Sequence, residues 1–213
     1  MNFLPIEIEE YIEKYTQNES DVLTKLNRDT YANVLQPRMI AGRLQGQILA
    51  MLSKMIRPKI ILEVGTFTGY SAICLAQGLQ TGGTLHTIDI NEELEDMIKK
   101  YIRKAGLESR IKTYIGNAKK IIPDIAGPYD IVYIDADKEN YSNYYDLVFD
   151  KVKPGGFIIA DNVLWNGNVV KPESEMDEET KSIVKYCKKV HADSRVEHVI
   201  FPVRDGLMVA RKK

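Results

Sequence analysis

The chain has 213 residues, and its hydrophobic content of 44% and charged content of 28% are ordinary for a globular protein with a sizeable core. A formal net charge of −1 gives no global basic field, so the composition does not favour nucleic acid as the main partner. Two cysteines are too few for a disulfide framework, which indicates a reducing compartment. No apolar run reaches the about 20 residues of a membrane-spanning helix and no signal peptide is evident, so we expect a cytoplasmic protein without membrane association.

Apolar residues recur at helical spacing in three early segments, which predicts helices over 6–15, 21–33 and 42–56. From residue 59 onward, strand-like apolar runs alternate with helical patterns. The predicted strands cover 59–64, 84–90, 110–115, 129–135 and 156–161, and the predicted helices cover 70–80, 92–105, 119–125, 140–152 and 178–192. Two further strands, 196–203 and 206–212, are joined by a short turn and predict a hairpin.

This alternation is typical of a doubly wound parallel α/β sheet. We therefore predict one domain over residues 1–213, with a helical cap over 1–57 and a Rossmann-like core over 58–213. The core would contain a seven-stranded, mostly parallel sheet in which the C-terminal hairpin places one strand antiparallel. Ligands of such sheets bind at the carboxyl ends of the strands, where four of the first five predicted strands carry an acidic residue.

A glycine-bearing turn follows the first predicted strand. Gly65 and Gly69 are spaced G-x-x-x-G, which is neither the dinucleotide fingerprint G-x-G-x-x-G nor a P-loop. A junction of strand, tight turn and helix directs backbone N–H groups at one place, where a ligand can bind. Many such turns only reverse the chain, so the turn by itself is weak support for a ligand.

Asp89 ends the second predicted strand, 24 positions after Gly65. A carboxylate there can accept hydrogen bonds from both hydroxyls of a ribose, and the competing interpretation is an acid that caps the following helix. Because the dinucleotide fingerprint is missing, a nucleoside ligand without a pyrophosphate fits this turn better than NAD does. These residues therefore favour S-adenosylmethionine.

Asp135, Asp161 and Asn162 follow two strands that we expect to be neighbours. Two carboxylates and one amide oxygen suit Mg²⁺ first, with Mn²⁺ and Ca²⁺ as alternatives, whereas Zn²⁺ prefers nitrogen and sulfur. Taken singly, each residue is better explained as part of a turn, but together, beside the glycine turn, the three favour a metal site. Lys138 lies within reach of the same place and could act as a general base, although a solvated loop lysine is the simpler interpretation.

Trp165 and Asn166 lie on the loop after the fifth strand and could form a substrate-binding lip, with a packed turn as the alternative.

Four segments resemble those of the cation-dependent O-methyltransferases, namely the caffeoyl-coenzyme A O-methyltransferase family, with catechol O-methyltransferase as a more distant relative. Residues 62–71 are similar to the cofactor loop of that family, 135–141 to its metal and base segment, 161–167 to its second metal segment, and 204–207 to its final hairpin turn. Plant members have a basic coenzyme A contact in a longer N-terminus, without a counterpart in this sequence, and an insertion that is shortened here around 172–180.

The resemblance implies the seven-stranded fold of S-adenosylmethionine-dependent methyltransferases, a divalent cation and a homodimer. It implies catalytic roles for Lys138, as general base, and for Asp135. It implies substrate contacts for Met39, Lys138, Trp165 and Asn166, and metal ligation by Asp135, Asp161 and Asn162. The implied cofactor contacts are Ala41, Glu63, Gly65, Thr66, Phe67, Ser71, Asp89, Ala118 and Asp135.

The leading hypothesis is a metal-dependent O-methyltransferase that acts on a catechol-like or caffeoyl-type phenol. The alternative is a tRNA hydroxyuridine O-methyltransferase that uses the same metal site, with phosphate contacts from Arg38, Arg43, Lys54 and Arg57, which otherwise form a solvated helix face. A dehydrogenase is disfavoured by the missing dinucleotide fingerprint. A non-catalytic binding protein is disfavoured because the metal set and Lys138 occur together.

Overall fold

The computed structural model describes residues 4–213. Its α-helices are α1 (Ile6–Tyr15), α2 (Asp21–Asn33), α3 (Gly42–Ile56), α4 (Tyr70–Ala76), α5 (Glu95–Lys104), α6 (Ala118–Ile121), α7 (Tyr141–Phe149) and α8 (Glu178–Ala192). Its strands are β1 (Ile60–Val64), β2 (Thr84–Asp89), β3 (Ile111–Ile115), β4 (Tyr129–Ile134), β5 (Val152–Ala160), β6 (Val196–Phe201) and β7 (Leu207–Lys212). The strand order is β3-β2-β1-β4-β5-β7-β6, and β7 pairs antiparallel with both β5 and β6. The predicted seven-stranded, mostly parallel sheet with an antiparallel hairpin strand is confirmed.

Two compact units make up the chain, residues 4–118 and residues 119–213. The division falls at Ala118 and not at residue 57, because α1, α2 and α3 belong to the same unit as β1, β2 and β3. The assignment of residues 1–213 to one domain stays a prediction.

In the unit of residues 4–118, β1 pairs in parallel with β2, and β2 pairs in parallel with β3. Leu62, Leu75 and Leu85 are fully buried in its core. Helix α1 has no buried residue and is held to α3 by Arg43, whose guanidinium donates to Glu13 Oε2 at 2.9 Å and to Asn18 Oδ1 at 2.7 Å. Arg43, one of the cations considered for tRNA phosphate, is therefore engaged in an ion pair within the unit.

Helices α3 and α4 pack closely because small residues face each other. Ser53 Oγ on α3 donates to the carbonyl oxygen of Leu75 at 2.6 Å. Just after α4, a Cβ added to Gly78 would lie 2.1 Å from the carbonyl carbon of Ser53, so only glycine fits there. The sequence predicted a helix to residue 80, but α4 ends at Ala76. The N–H groups of Gln77, Gly78 and Leu79 instead bond to carbonyl oxygens three residues earlier in the chain.

In the unit of residues 119–213, β4 pairs in parallel with β5, and the hairpin of β6 and β7 continues the ladder. Tyr141 and Tyr145 of α7 pack edge-on against Tyr186 of α8, with ring centroids 5.5 and 6.1 Å apart, respectively. Asp193, which ends α8, accepts from Tyr145 Oη at 3.0 Å and from Arg195 Nε at 2.8 Å. One carboxylate therefore links α7, the end of α8 and the start of β6.

The strand β5 begins earlier than predicted. The sequence suggested a helix over 140–152 and a strand over 156–161, whereas α7 ends at Phe149 and β5 begins at Val152. Val152 pairs with Tyr129, and the register then shifts before Phe157 pairs with Ile131. Pro154 and Gly155 lie within this irregular stretch, and both residue types argue against a strand in a sequence-based prediction.

No helix among residues 4–213 is both long enough and apolar enough to cross a membrane.

Candidate active site

The glycine turn after β1 is clamped to the end of β2 by Asp89. Gly65 and Gly69 have φ values of 99° and 91°, a region that glycine occupies at little cost. Asp89 Oδ2 accepts from the backbone N–H groups of Thr66 at 2.9 Å and of Phe67 at 2.6 Å. The helix-capping role belongs to the neighbouring Asn91, whose Oδ1 accepts from Glu93 N at 3.0 Å. Asp89 is thus fixed beside the turn, where it was expected to meet a ribose.

A buried carboxylate lies beneath this turn. Glu63, the penultimate residue of β1, is fully buried, and its Oε2 accepts from Thr87 Oγ1 at 2.5 Å. Thr87 Oγ1 is also 2.5 Å from Thr66 Oγ1, so one hydroxyl joins the acid to the turn. A buried acid is costly unless it is hydrogen-bonded, so the hydrogen bond from Thr87 stabilises Glu63 in this position. The sequence analysis did not identify Thr87, although the register opposite Glu63 could have identified it.

Three further predicted cofactor contacts lie at the starts of helices in the same unit, whereas Asp135 follows β4 in the unit of residues 119–213. Ala41 precedes α3, Ser71 is in the first turn of α4 and Ala118 begins α6. Ala41, Ser71 and Ala118 are all buried. Met39, a predicted substrate contact, lies in a short turn of 3₁₀ helix before α3 and is exposed.

Lys138 is the centre of a second group, which lies in the unit of residues 119–213. The lysine is only 7% exposed, which rejects the interpretation as a solvated loop residue. Its Nζ donates to Asp135 Oδ1 at 3.0 Å, to Asn162 Oδ1 at 2.8 Å and to Tyr141 Oη at 2.6 Å. Asp135, Asn162 and Lys138 all follow the carboxyl ends of β4 and β5, and the structure brings them together, as the sequence predicted.

Asp161 is held from both sides. Its Oδ2 accepts from Tyr133 Oη at 2.9 Å, and its Oδ1 accepts from the backbone N–H of Asn162 at 2.7 Å. Asn162 has a φ of 58°, a left-handed conformation that asparagine adopts more readily than most residues. Tyr141 Oη donates to the carbonyl oxygen of Asp161 at 3.0 Å, so a tyrosine hydroxyl links Asp161 to Lys138.

Burial and the carboxylates of Asp135 and Asp161 raise the pKa of Tyr141 well above its usual value. The hydroxyl of Tyr141 therefore stays protonated near neutral pH, which allows it to donate to Asp161 while it accepts from Lys138. The sequence analysis assigned no functional role to Tyr141. The structure adds this polar role, which spacing alone does not reveal.

Two aromatic rings flank the ammonium group of Lys138. Its Nζ lies 4.8 Å from the ring centroid of Tyr141 and 5.6 Å from that of Trp165, within the range of cation–π attraction. Trp165 and Asn166 both have positive φ values, and Asn166 N donates to Asp205 Oδ1 at 2.6 Å. The structure thus brings Trp165 to Lys138, whereas the backbone of Asn166 is fixed to the final hairpin turn.

The donor set fits a hard divalent cation. Asp135 and Asn162 each place an oxygen within 3.0 Å of a single cationic nitrogen, which shows that these oxygens converge on one positive charge. Within residues 4–213, no group of three or more His, Cys, Asp or Glu side chains could hold a metal ion. The ligands inferred from the sequence, Asp135, Asp161 and Asn162, are not such a group, because one of the three is an asparagine. An all-oxygen set of this kind matches the preference of Mg²⁺.

A sequence model of one family, described as O-methyltransferase, matches residues 13–213. The chain belongs to the O-methyltransferase family. It is 34% identical over 204 residues to a caffeoyl-CoA O-methyltransferase of Stellaria longipes, covering 91% of this chain and 84% of the relative. It is 38% identical over 182 residues to caffeoyl-CoA O-methyltransferase 1 of Nicotiana tabacum, covering 79% of this chain and 75% of the relative.

Solved structures agree with this assignment. The O-methyltransferase of Bacillus cereus in complex with SAH superposes with a TM-score of 0.89 and 28% identity, covering 97% of both chains. Since an O-methyltransferase is a group-transfer enzyme, the hypotheses of a dehydrogenase and of a non-catalytic binding protein are not retained. The family assignment agrees with the resemblance that the sequence motifs indicated.

Proposed function

We propose that this O-methyltransferase transfers the methyl group of S-adenosylmethionine to a phenolic hydroxyl of a catechol-like or caffeoyl-type small molecule, with a divalent cation as cofactor. The observation that carries the proposal is the convergence of Asp135, Asn162 and a buried Lys138. The similarity to caffeoyl-CoA O-methyltransferases supports the class of substrate.

The residues of the glycine turn would hold the cofactor. The carboxylate of Asp89 is already oriented by three backbone N–H groups, those of Thr66 and Phe67 at Oδ2 and that of Asn91 at Oδ1. An ionised carboxylate has about four lone-pair positions, so Oδ1 can accept one further hydrogen bond, from a ribose hydroxyl. Gly65 removes a side chain at the turn, which allows a ligand to approach the backbone closely. The SAH complex of the Bacillus cereus relative supports this choice of ligand.

The need for a cation follows from the acidity of phenols. A phenol with a pKa of about 10 is only about 0.1% ionised at pH 7, a deficit of roughly 4 kcal/mol. Asp135, Asp161 and Asn162 would hold the cation, which supplies Lewis-acid stabilisation of the phenolate. Lys138 would act as the base in its neutral amine form, with its nitrogen positioned by Asp135, Asn162 and Tyr141 to accept the proton of the substrate hydroxyl.

Methyl transfer from labelled S-adenosylmethionine should be measured with caffeic acid, caffeoyl-coenzyme A and hypomodified bulk tRNA, each with Mg²⁺ and with excess EDTA. We expect transfer to one or both of the caffeoyl compounds, abolished by EDTA and restored by added Mg²⁺. Full turnover in EDTA would contradict the metal-assisted mechanism. Transfer to tRNA alone would contradict the phenolic substrate.

A further inference from the structure

Tyr133 has a buried hydroxyl that forms a hydrogen bond with a proposed metal ligand, Asp161. Tyr133 lies in β4, is fully buried, and donates from Oη to Asp161 Oδ2 at 2.9 Å. In the parallel ladder Tyr133 is opposite Ile159, two residues before Asp161. The ring therefore reaches from β4 to the residue that follows β5.

We propose that Tyr133 is a positioning residue that fixes the carboxylate of Asp161 for cation binding. This inference rests on the proposed function, since it assumes that Asp161 is a metal ligand. The torsion that rotates a carboxylate is broad and is not held by its own staggered wells. Tyr133 at Oδ2 and the Asn162 N–H at Oδ1 together set the plane of this carboxylate.

The environment makes the hydroxyl of Tyr133 important for Asp161. Asp161 is 3% exposed, so water offers it little alternative hydrogen bonding. Without the tyrosine hydroxyl, Oδ2 loses the donor that fixes its direction, and the carboxylate can rotate away from the orientation that we propose for cation binding. Groups that orient metal ligands in this way typically contribute about 10- to 100-fold in metal affinity.

Tyr129 provides a matched control. It lies four residues earlier in β4, is also fully buried, and donates from Oη to the carbonyl oxygen of Ile125 at 2.8 Å. Changing either tyrosine to phenylalanine removes one buried hydroxyl from the same strand. Only the change at Tyr133 removes a hydrogen bond to a proposed metal ligand.

The experiment measures Mn²⁺ binding to full-length wild type, Tyr133→Phe and Tyr129→Phe by electron paramagnetic resonance of free Mn²⁺. Urea unfolding of all three proteins measures their stability. We expect Tyr133→Phe to bind Mn²⁺ about 10- to 100-fold more weakly and Tyr129→Phe to match wild type. The Mn²⁺ concentration that gives half-maximal methyl transfer should rise in Tyr133→Phe, while kcat at saturating Mn²⁺ stays near the wild-type value.

Three results would overturn the inference, and only the third would also contradict the proposed metal-dependent function. Equal Mn²⁺ affinity of wild type and Tyr133→Phe would remove the positioning role and leave the proposed function intact. Equal weakening in both variants would show that general packing, and not the contact with Asp161, controls the affinity. A wild-type protein that binds no Mn²⁺ would contradict the metal-dependent function and, with it, the role of Tyr133.

Discussion

Lys138 is the residue on which the proposed chemistry depends most directly. Its amine lies among Asp135, Asn162 and Tyr141, so it is placed to receive a proton from a hydroxyl bound beside the cation ligands. Lys138→Met removes the amine and keeps much of the length of the side chain. We expect kcat for methyl transfer to caffeic acid to fall by about 10²- to 10⁴-fold, the usual contribution of a positioned base.

Lys119→Met is the control for that measurement. Lys119 is an exposed lysine of the same unit that donates to Asn140 Oδ1 at 3.0 Å, and its replacement should leave kcat unchanged. Wild-type kcat in Lys138→Met, in a protein that unfolds at the same urea concentration as wild type, would exclude Lys138 as the base.

At the residue scale, sequence reasoning predicted part of the Lys138 group and missed two of its members. Asp135 and Asn162 follow recognisable strands, so their approach to each other follows from the rule that parallel strands align their carboxyl ends. Tyr133 was not predicted as a polar partner, because a tyrosine in an apolar strand is indistinguishable from a core residue. The partner of its hydroxyl depends on the register of β4 against β5, which composition does not determine. Tyr141 begins α7, and the contact of its hydroxyl with the carbonyl oxygen of Asp161 joins residues 20 positions apart.

At the element scale, the close contact of Gly78, just after α4, with the backbone of α3 contributes to the stability of the fold. A Cβ at residue 78 would meet backbone atoms of Ser53 and Lys54 at 2.1 and 2.4 Å, and backbone atoms cannot yield as a flexible side chain can. Gly78→Ala should therefore lower the free energy of unfolding by at least about 1–3 kcal/mol, measured by urea denaturation. Gln77→Ala, an exposed neighbour, should change it by less than about 0.5 kcal/mol. An unchanged midpoint in Gly78→Ala would show that the helices separate without cost.

The junction of α7, α8 and β6 predicts a pH dependence. The Arg195 guanidinium, together with Tyr145, holds the pKa of Asp193 well below its usual value. Because the folded-state pKa lies below the unfolded value of about 3.9, the contribution to stability is complete above that pH and is lost as the pH falls toward the folded-state pKa. Asp193→Asn should thus be less stable than wild type at neutral pH.

The stability difference between Asp193→Asn and wild type should narrow below about pH 4, which urea unfolding at about pH 7, 5 and 3 would measure. Glu139→Gln, at an exposed position, is the control and should follow wild type throughout. If the difference in free energy of unfolding between Asp193→Asn and wild type stays constant from neutral to acidic pH, the carboxylate charge of Asp193 does not stabilise this junction.

The limits of helices were predicted best where the apolar periodicity is clear. The bounds of α1, α2, α3 and α8 match the prediction, although only α2 and α8 have a side-chain cap, from Ser20 and Asp177. The predicted ends of α4 and α7 were wrong, because the backbone after Ala76 changes to hydrogen bonds three residues apart and because β5 already begins at Val152.

At the scale of the whole molecule, the helix–strand alternation was sufficient to predict the sheet and its antiparallel strand. The order in which β7 lies between β5 and β6 was not predicted, because a hairpin can add to a sheet edge through either strand. Sequence motifs were long enough to indicate the family, whereas composition alone indicated only a globular α/β protein.

The resemblance also predicts a homodimer. Helix α1 has apolar side chains that the chain itself leaves exposed, including Ile8, Tyr11 and Tyr15. Multi-angle light scattering should give twice the mass of the chain. Charged substitutions at Tyr11 and Tyr15 provide a second measurement, and they should shift the mass toward that of one chain if α1 contributes to the interface. A monomer mass for wild type at high concentration would contradict the homodimer.

The position of Trp165 gives the protein an intrinsic optical reporter. It is the only tryptophan in the chain, and its ring centroid lies 5.6 Å from the ammonium nitrogen of Lys138. Indole emission depends on the polarity and charge of its surroundings, so all of the tryptophan fluorescence of each chain originates beside the proposed catalytic lysine. Titration of unlabelled protein with Mn²⁺ or with a catechol can therefore be followed by emission, without a dye and without turnover.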